Sequence, residues 1–162
     1  MTSGTIRHLN DGFIPSFGAD FDEKLPTITE ILTEKSYNIG GFELNIIYHN
    51  ENIEIELPQI NSVYTHMLGH DCHSIVAGEG HANAIIEQLK GYIEKNYTLV
   101  LSSHYLPETI NDVKTKMDYL EELKNIAKES SNGDEFKEKV KVKYPNYSGL
   151  NYLDMTTGYF FA

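Results

Sequence analysis

The sequence is poor in positive charge, has one cysteine and contains no long apolar run. Lys and Arg number 13 against 24 Asp and Glu, so the formal net charge is −11 at pH 7. Because such a charge repels phosphate backbones, we expect no nucleic-acid partner. No run of about 18 apolar residues and no signal-peptide core occurs, which predicts no membrane partner. The single cysteine, Cys72, excludes an internal disulfide and fits a reducing compartment, so a cytoplasmic location is expected.

The length and composition predict one globular domain spanning 1–162. The chain has 162 residues, of which 40% are hydrophobic and 23% charged, and this suits a single core. Neither repeats nor low-complexity tracts occur. We expect an irregular wrapping segment at 1–26 anchored by Phe13, Phe17 and Phe21, a sheet with candidate metal loops at 27–104, and a helical C-terminal part at 105–162.

The first half of the chain has the pattern of a β-meander. Apolar and polar residues alternate in several short stretches, as in half-buried strands. Gly40-Gly41 suits a two-residue hairpin turn, and Pro58 should end a strand because it cannot donate to a ladder. The predicted strands cover 27–33, 37–39, 42–48, 53–57 and 60–64.

The second half is predicted to be mainly helical. Ile85, Leu89 and Ile93 lie four residues apart, which favours an amphipathic helix after Gly80. The apolar run 99–101 is typical of a buried strand. Helices should follow from Pro107 and Glu108 to about 129 and around Phe136 and Val140, before an aromatic tail that packs on a surface or on a partner subunit. The fold class is therefore α/β, a β-meander sheet with helices packed on one face.

Histidines cluster just after two of the predicted strands. His66, His70 and His73, with Asp71, follow one strand, and His104 follows the next. In open α/β sheets ligands bind beyond the strand ends. Imidazole and carboxylate are ligands of zinc, iron and manganese. A divalent metal site is therefore predicted here, although any one of these histidines is more often a hydrogen-bonded loop residue.

Other catalytic patterns are weaker, and no catalytic residue is assigned. Cys72 lies beside His70 and His73, but a thiol nucleophile would need an orienting Asn or Asp that is not evident. The Ser102-Ser103-His104 run lacks the context of a nucleophile elbow. Gly78-Glu79-Gly80 could cradle an anion at a helix start, but a plain turn is favoured.

Two stretches carry a resemblance to a known family. From about residue 25 to 123, ELPQINSVYTHMLGHD and TLVLSSHYLPE are similar to the second half of a metallo-β-lactamase-fold hydrolase. The resemblance implies half of an αββα sandwich, with Asp71 as bridging metal ligand, His104 as last ligand and His49 at the third-motif position. It also implies a divalent metal cofactor, zinc or else iron or manganese, and hydrolysis of a small-molecule substrate by metal-bound water.

The family's His-x-His-x-Asp-His motif is absent from the chain. We therefore expect a partial or truncated member that lacks its N-terminal half, or a homodimer that buries the sheet face the missing half would cover. Such a chain would be inert, or complete a site by oligomerising, or use His66, His70 and His73 in place of the missing ligands. The alternative is a non-catalytic fragment or interaction module that oligomerises and binds metal weakly or not at all.

Overall fold

A computed structural model describes Thr27 and residues 33–49, 52–66 and 69–161 of the chain. All of the helices and strands given below lie in the unit Glu34–Ala162. The predicted wrapping segment 1–26, with its three phenylalanine anchors, and most of the predicted strand 27–33 lie outside the described residues.

The described residues form five strands and four helices. In chain order they are β1 (Ser36–Ile39), β2 (Phe42–Tyr48), β3 (Ile53–Leu57), β4 (Ser62–Thr65), α1 (Gly78–Glu94), β5 (Leu99–Ser102), α2 (Ile110–Lys128), α3 (Gly133–Lys143) and α4 (Leu150–Phe160). Among these residues, no helix combines the length and the apolar character needed to cross a membrane.

One mixed sheet with the order β1-β2-β3-β4-β5 organises the fold. Strands β1 to β4 form the predicted antiparallel meander, and β5 pairs in parallel with β4 after α1 has crossed over. Gly40 and Gly41 have φ values of 61° and 89° in the first hairpin, which glycine adopts without steric cost. The predicted α/β class is confirmed. The stretch 60–64 is shifted, because Pro58–Ile60 is a single 3₁₀ turn and β4 begins at Ser62.

The two faces of the sheet differ in character. Directly paired residues share a face, so the register places Glu56, Val63 and Val100 together. Helix α1 covers this face, since Tyr92 and Gln88 donate hydrogen bonds to Glu54, two residues before Glu56. The opposite face is apolar, and its cross-strand neighbours from β2 to β5 are Ile46, Ile55, Tyr64 and Leu101.

The core lies between the covered sheet face and the helices. Fully buried side chains come from the sheet, from the apolar stripes of α1 and α2, and from α3 and α4. They include Val63, Val100, Val113, Leu120, Leu123, Phe136, Val140 and Leu153. Burying side chains of this size contributes about 1.5–3 kcal/mol each, so the position of the loops around the sheet ends is fixed by well-packed elements.

One predicted detail of the C-terminal half is wrong. Helix α2 begins at Ile110, because Thr109 and Asp112 form a capping box, and Glu108 instead pairs its backbone with Val100 beside β5. The aromatic tail, which is predicted to pack on a surface or on a partner subunit, contains helix α4. Gly149, with φ of 78°, forms the N-cap of α4, which buries Leu153.

Candidate functional site

A polar cleft lies at the carboxyl ends of the parallel strands β4 and β5. It has a volume of about 490 Å³, and its lining residues are His70, Asp71, His104, Tyr105, Leu106, Pro107, Glu108 and Asp112. We call it the strand-end cleft. Because β4 and β5 are neighbours and parallel, the loops that follow them meet at one edge of the sheet, as the sequence predicts.

The carboxylate of Glu108 anchors the loop that follows β4. Only 5% of this residue is exposed. The backbone N–H groups of Gly69 and His70 donate to its two oxygens at 2.8 and 2.7 Å, and the Nδ1 atom of His70 lies 2.7 Å from Oε1. A buried carboxylate is tolerated when donors surround it in this way. Glu108 therefore holds both the backbone and the imidazole of His70.

Lys116 anchors the same loop through its carbonyl groups. Its ammonium, on the buried stripe of α2, donates to the Gly69 and Cys72 carbonyl oxygens at 2.9 and 2.5 Å. Burial lowers the pKa of Lys116 to about 8, against the smaller opposing effect of nearby acidic groups. The Ser148 backbone adds a third anchor by pairing with Asp71 and His73. The loop is thus held from three sides.

Gly69 is required where this loop turns. Its φ is +79°, and a Cβ atom there would lie 2.8 Å from the ring of Tyr105. Only glycine combines that backbone conformation with so close an approach. Tyr105 also donates its hydroxyl to the buried Cys72 sulfur at 3.1 Å, so the thiol contacts a tyrosine and is not paired with an imidazole.

The imidazole of His70 lies near three carboxylates, those of Glu108, Asp112 and Asp71. Its Nε2 lies 3.7 Å from Asp112 Oδ1, in addition to the Glu108 contact. Burial lowers the pKa of His70, but the hydrogen bond to Glu108 and the charges of Asp112 and Asp71 outweigh it and raise the pKa above its usual value. Both ring nitrogens therefore face carboxylates, which favours the imidazolium form.

The remaining predicted ligands fall into separate groups. Asp71 and His104 are exposed and line the strand-end cleft with His70. The ring of His66 lies next to the cleft against His104, with centroids 5.2 Å apart, and its Nδ1 is 3.3 Å from the Ser103 hydroxyl.

His73 and His49 are directed away from the cleft. His73 is 1% exposed and its Nδ1 lies 2.9 Å from the Tyr119 hydroxyl. Its Nε2 has no hydrogen-bond partner in the described part of the chain. His49, just after β2, forms a 3.0 Å contact with Glu54. Neither imidazole lines the strand-end cleft.

The donor set fits a metal ion only in part. Within 33–49, 52–66 and 69–161, no three His, Cys, Asp or Glu side chains are arranged to hold one. His70 would have to exchange Glu108 and Asp112 for the ion, which leaves Asp71 and His104 as the accessible donors. A stable divalent site normally needs three or more protein ligands. A complete site would therefore take donors from beyond this arrangement.

The stretch Gly78-Glu79-Gly80, for which a plain turn is favoured over an anion cradle, forms the first turn of helix α1. Gly78 has φ of +83°, and Glu79 in the first turn forms an ion pair with Lys128 at 2.8 Å. A carboxylate at this position already complements the helix dipole. Since it also repels anions, an anion cradle is not favoured here.

Sequence reasoning missed the two residues that build the site, Glu108 and Lys116. Glu108 looked like a helix-dipole residue, and no local pattern distinguishes that role from a contact with a loop 38 residues away. Lys116 did carry a signal. It lies three residues after Val113 and four before Leu120, both fully buried, so the helical period places a charge on the apolar stripe.

The fold and the cleft define an α/β protein with a carboxylate-rich site at the ends of two parallel strands. Comparison with models of known protein families finds no match, and a search of curated proteins finds none either. The geometry therefore supports the α/β class and the carboxylate-rich cleft. The assignment to a family stays a prediction.

Proposed function

We propose that this chain carries part of a metal-dependent hydrolase site of the metallo-β-lactamase kind, in the strand-end cleft. The observation that carries the proposal is that His70, Asp71 and His104 line this one cleft at the ends of β4 and β5. The meander followed by a parallel strand across a helix is also the order that the resemblance implies. Asp71 and His104 are the proposed metal donors, and zinc, iron or manganese the proposed ions.

In this proposal the side chains around the cleft have two roles, to position its loop and to give it negative charge. Glu108 and Lys116 hold the loop that presents Asp71. The carboxylates of Asp71, Glu108 and Asp112 make the cleft attractive to cations. A volume of about 490 Å³ lies within the range of small-molecule sites, roughly 300–1,000 Å³, so the proposed substrate is a small molecule.

Metal analysis and thermal melting with added zinc, both on the purified, untagged protein, test this proposal. Because two donors make a weak site, we expect added zinc to bind and to raise the melting temperature, and both effects should be lost in the double variant Asp71→Ala plus His104→Ala. The control, Asp118→Ala plus His81→Ala, changes an exposed aspartate and an exposed histidine that do not line the cleft, and it should keep the metal. A metal-free chain whose melting temperature does not respond to added zinc would overturn the proposal.

A second candidate function is a non-catalytic interaction module that forms a homodimer. One observation favours it: the sheet face opposite α1 exposes apolar side chains, since Ile39, Phe42 and Ile53 are 56%, 54% and 44% exposed. Cross-strand pairing places all three on the face of Ile46 and Ile55. Exposed apolar patches of this kind mark interfaces.

Light scattering after size-exclusion chromatography tests the homodimer. We expect a dimer at micromolar concentration that dissociates in the double variant Phe42→Glu plus Ile53→Glu, because the charges would be buried at the interface. The matched control is Val142→Glu, which places a charge on another apolar side chain, 79% exposed on α3. A monomer at all concentrations, or a dimer unaffected by the double variant, would contradict this function.

A further inference from the structure

We propose that a second site, in a cavity between α1, α2 and the end of β4, binds a small organic anion, a carboxylate that carries a short apolar chain. The cavity has a volume of about 230 Å³ and shares no lining residue with the strand-end cleft. We call it the lysine cavity. Its lining residues are Asn52, Thr65, His66, Ser74, Ile75, His81, Ile85, Gln88, Leu89, Tyr92 and Lys116.

The lysine cavity is lined by Lys116, whose buried ammonium has only uncharged partners. This residue is 2% exposed. Its ammonium donates to the carbonyl oxygens of Gly69 and Cys72, and its remaining contact is the face of the Tyr119 ring, whose centroid lies 4.8 Å away. No carboxylate forms an ion pair with Lys116 in the described part of the chain. A buried charge without a counter-charge is costly, and an anion in the cavity would offset that cost.

Two further side chains of the lining can donate to an anion. The Nδ1 atom of His81 accepts a hydrogen bond from the Ala77 backbone N–H at 2.9 Å, so the neutral ring carries its proton on Nε2 and can donate from there. Thr65 is 5% exposed and lies with Val63 on the helix-covered face of β4. Its hydroxyl has no hydrogen-bond partner among the described residues. An ionised carboxylate only accepts hydrogen bonds, and it therefore matches these donors together with Lys116.

The charges around the lysine cavity favour an anion, although the chain has a net charge of −11. Its lining, drawn from the described residues, contains a lysine and two histidines and no carboxylate. The carboxylate of Glu54 lies behind the lining, where three donors already contact it and offset its charge. Glu108 and Asp71 line the strand-end cleft and act on Lys116 only from beyond ion-pair distance. An anion in the lysine cavity would therefore meet a positive charge at shorter range than any unpaired negative one.

The apolar walls of the lysine cavity fit the chain of such a ligand. Ile75, Ile85 and Leu89 line it, and Leu89 is 2% exposed. A volume of about 230 Å³ is below the range of roughly 300–1,000 Å³ for drug-sized sites, so the ligand has only a few carbon atoms. Inorganic phosphate has no apolar part to bury against these side chains. A short-chain carboxylate is therefore the better match.

Three probes that share a propyl group test the proposal on the unmodified protein. Butyrate is anionic, butyramide neutral and butylamine cationic at about pH 7. In a titration followed by amide NMR signals, we expect butyrate to bind at least about tenfold more tightly than either of the other two probes. Its shifts should fall at Thr65, Ser74 and His81, which line the lysine cavity, and not at His104, which lines the strand-end cleft.

Variants of the lining separate its charge from its shape. Lys116→Met removes the charge, keeps the length of the side chain and should weaken butyrate at least about tenfold. Lys114→Met is the matched control, because it removes the same charge from an exposed position of α2 that does not line the cavity. It should change the affinity less than about twofold. His81→Phe, at an exposed position of α1, removes the Nε2 donor and should weaken butyrate about threefold or more.

The proposal is overturned if butyramide or butylamine binds as tightly as butyrate, or if butyrate shifts the strand-end cleft instead of the lysine cavity. It is overturned equally if butyrate does not bind up to about 10 mM, which is weak even for a ligand of this size, or if a folded Lys116→Met or His81→Phe variant leaves its affinity unchanged. Should Lys116→Met fail to fold, His81→Phe and the comparison of the three probes on the unmodified chain still decide the question.

Discussion

Replacing Glu108 with alanine is expected to lower the free energy of unfolding by about 3–5 kcal/mol, the range found when one partner of a buried charged contact is removed. Two backbone N–H groups, of Gly69 and His70, and the His70 ring lose their acceptor together. Each buried donor left without a partner costs about 1–3 kcal/mol. Chemical denaturation should show a lower midpoint with an unchanged slope.

Two further variants show whether the effect comes from this contact. Glu108→Gln keeps the shape and one acceptor oxygen, so its loss should be about half as large. Glu121→Ala removes an exposed carboxylate of α2 that forms an ion pair with Lys124, and should change stability by less than about 0.5 kcal/mol. Amide exchange at Gly69 and His70 should accelerate in Glu108→Ala. Stability equal to that of the unmodified protein would show that the loop does not depend on this carboxylate.

The features of the fold that could be predicted from the sequence are those that local patterns determine. Gly40-Gly41 determines a hairpin because few other residues adopt its backbone angles. The apolar run at Val100 determines a buried strand, and its pairing beside β4 brings Asp71 and His104 to one cleft. These features depend on periods of two and on turn chemistry, and both are visible in the sequence.

What could not be predicted depends on contacts between distant positions. A histidine in a loop looks the same whether it faces solvent or the core, and His73 is drawn inward because its backbone pairs with Ser148. That pairing joins positions 75 residues apart through the C-terminal segment, and the sequence did not identify the surface on which this segment packs. The buried charges of Lys116 and Glu54 are of the same kind, since their partners lie on other elements.

The second large effect is a loss of stability in mild acid, caused by His73. Burial first, and the charge of Lys116 second, lower the pKa of His73 to about 4 from the usual 6.5. The unfolded chain therefore binds a proton at a higher pH than the folded chain does. The stabilisation that comes from keeping His73 neutral is fully present above pH 6.5 and is lost as the pH falls toward 4. The total loss is about 3 kcal/mol, of which about 2 kcal/mol falls between pH 6.5 and 5.

Denaturation midpoints measured between pH 7 and 5 check this effect, because carboxylates titrate mainly below that window. His70 works in the opposite direction. Its raised pKa contributes stability below its unfolded pKa that is lost as the pH rises through the folded one. The change of the denaturation midpoint with pH is therefore best measured in the His70→Gln background, where it should be steepest.

Adding His73→Gln removes the group that is proposed to titrate. The pH dependence between 7 and 5 should then flatten, whatever the variant does to stability at neutral pH, because no buried imidazole remains to be charged. Tyr119→Phe is the matched control, since it removes the hydroxyl at 2.9 Å and leaves the imidazole in place, so the slope should persist. If the slope survives in His73→Gln, the acid sensitivity belongs to another group, and the burial of His73 is not what opposes its protonation.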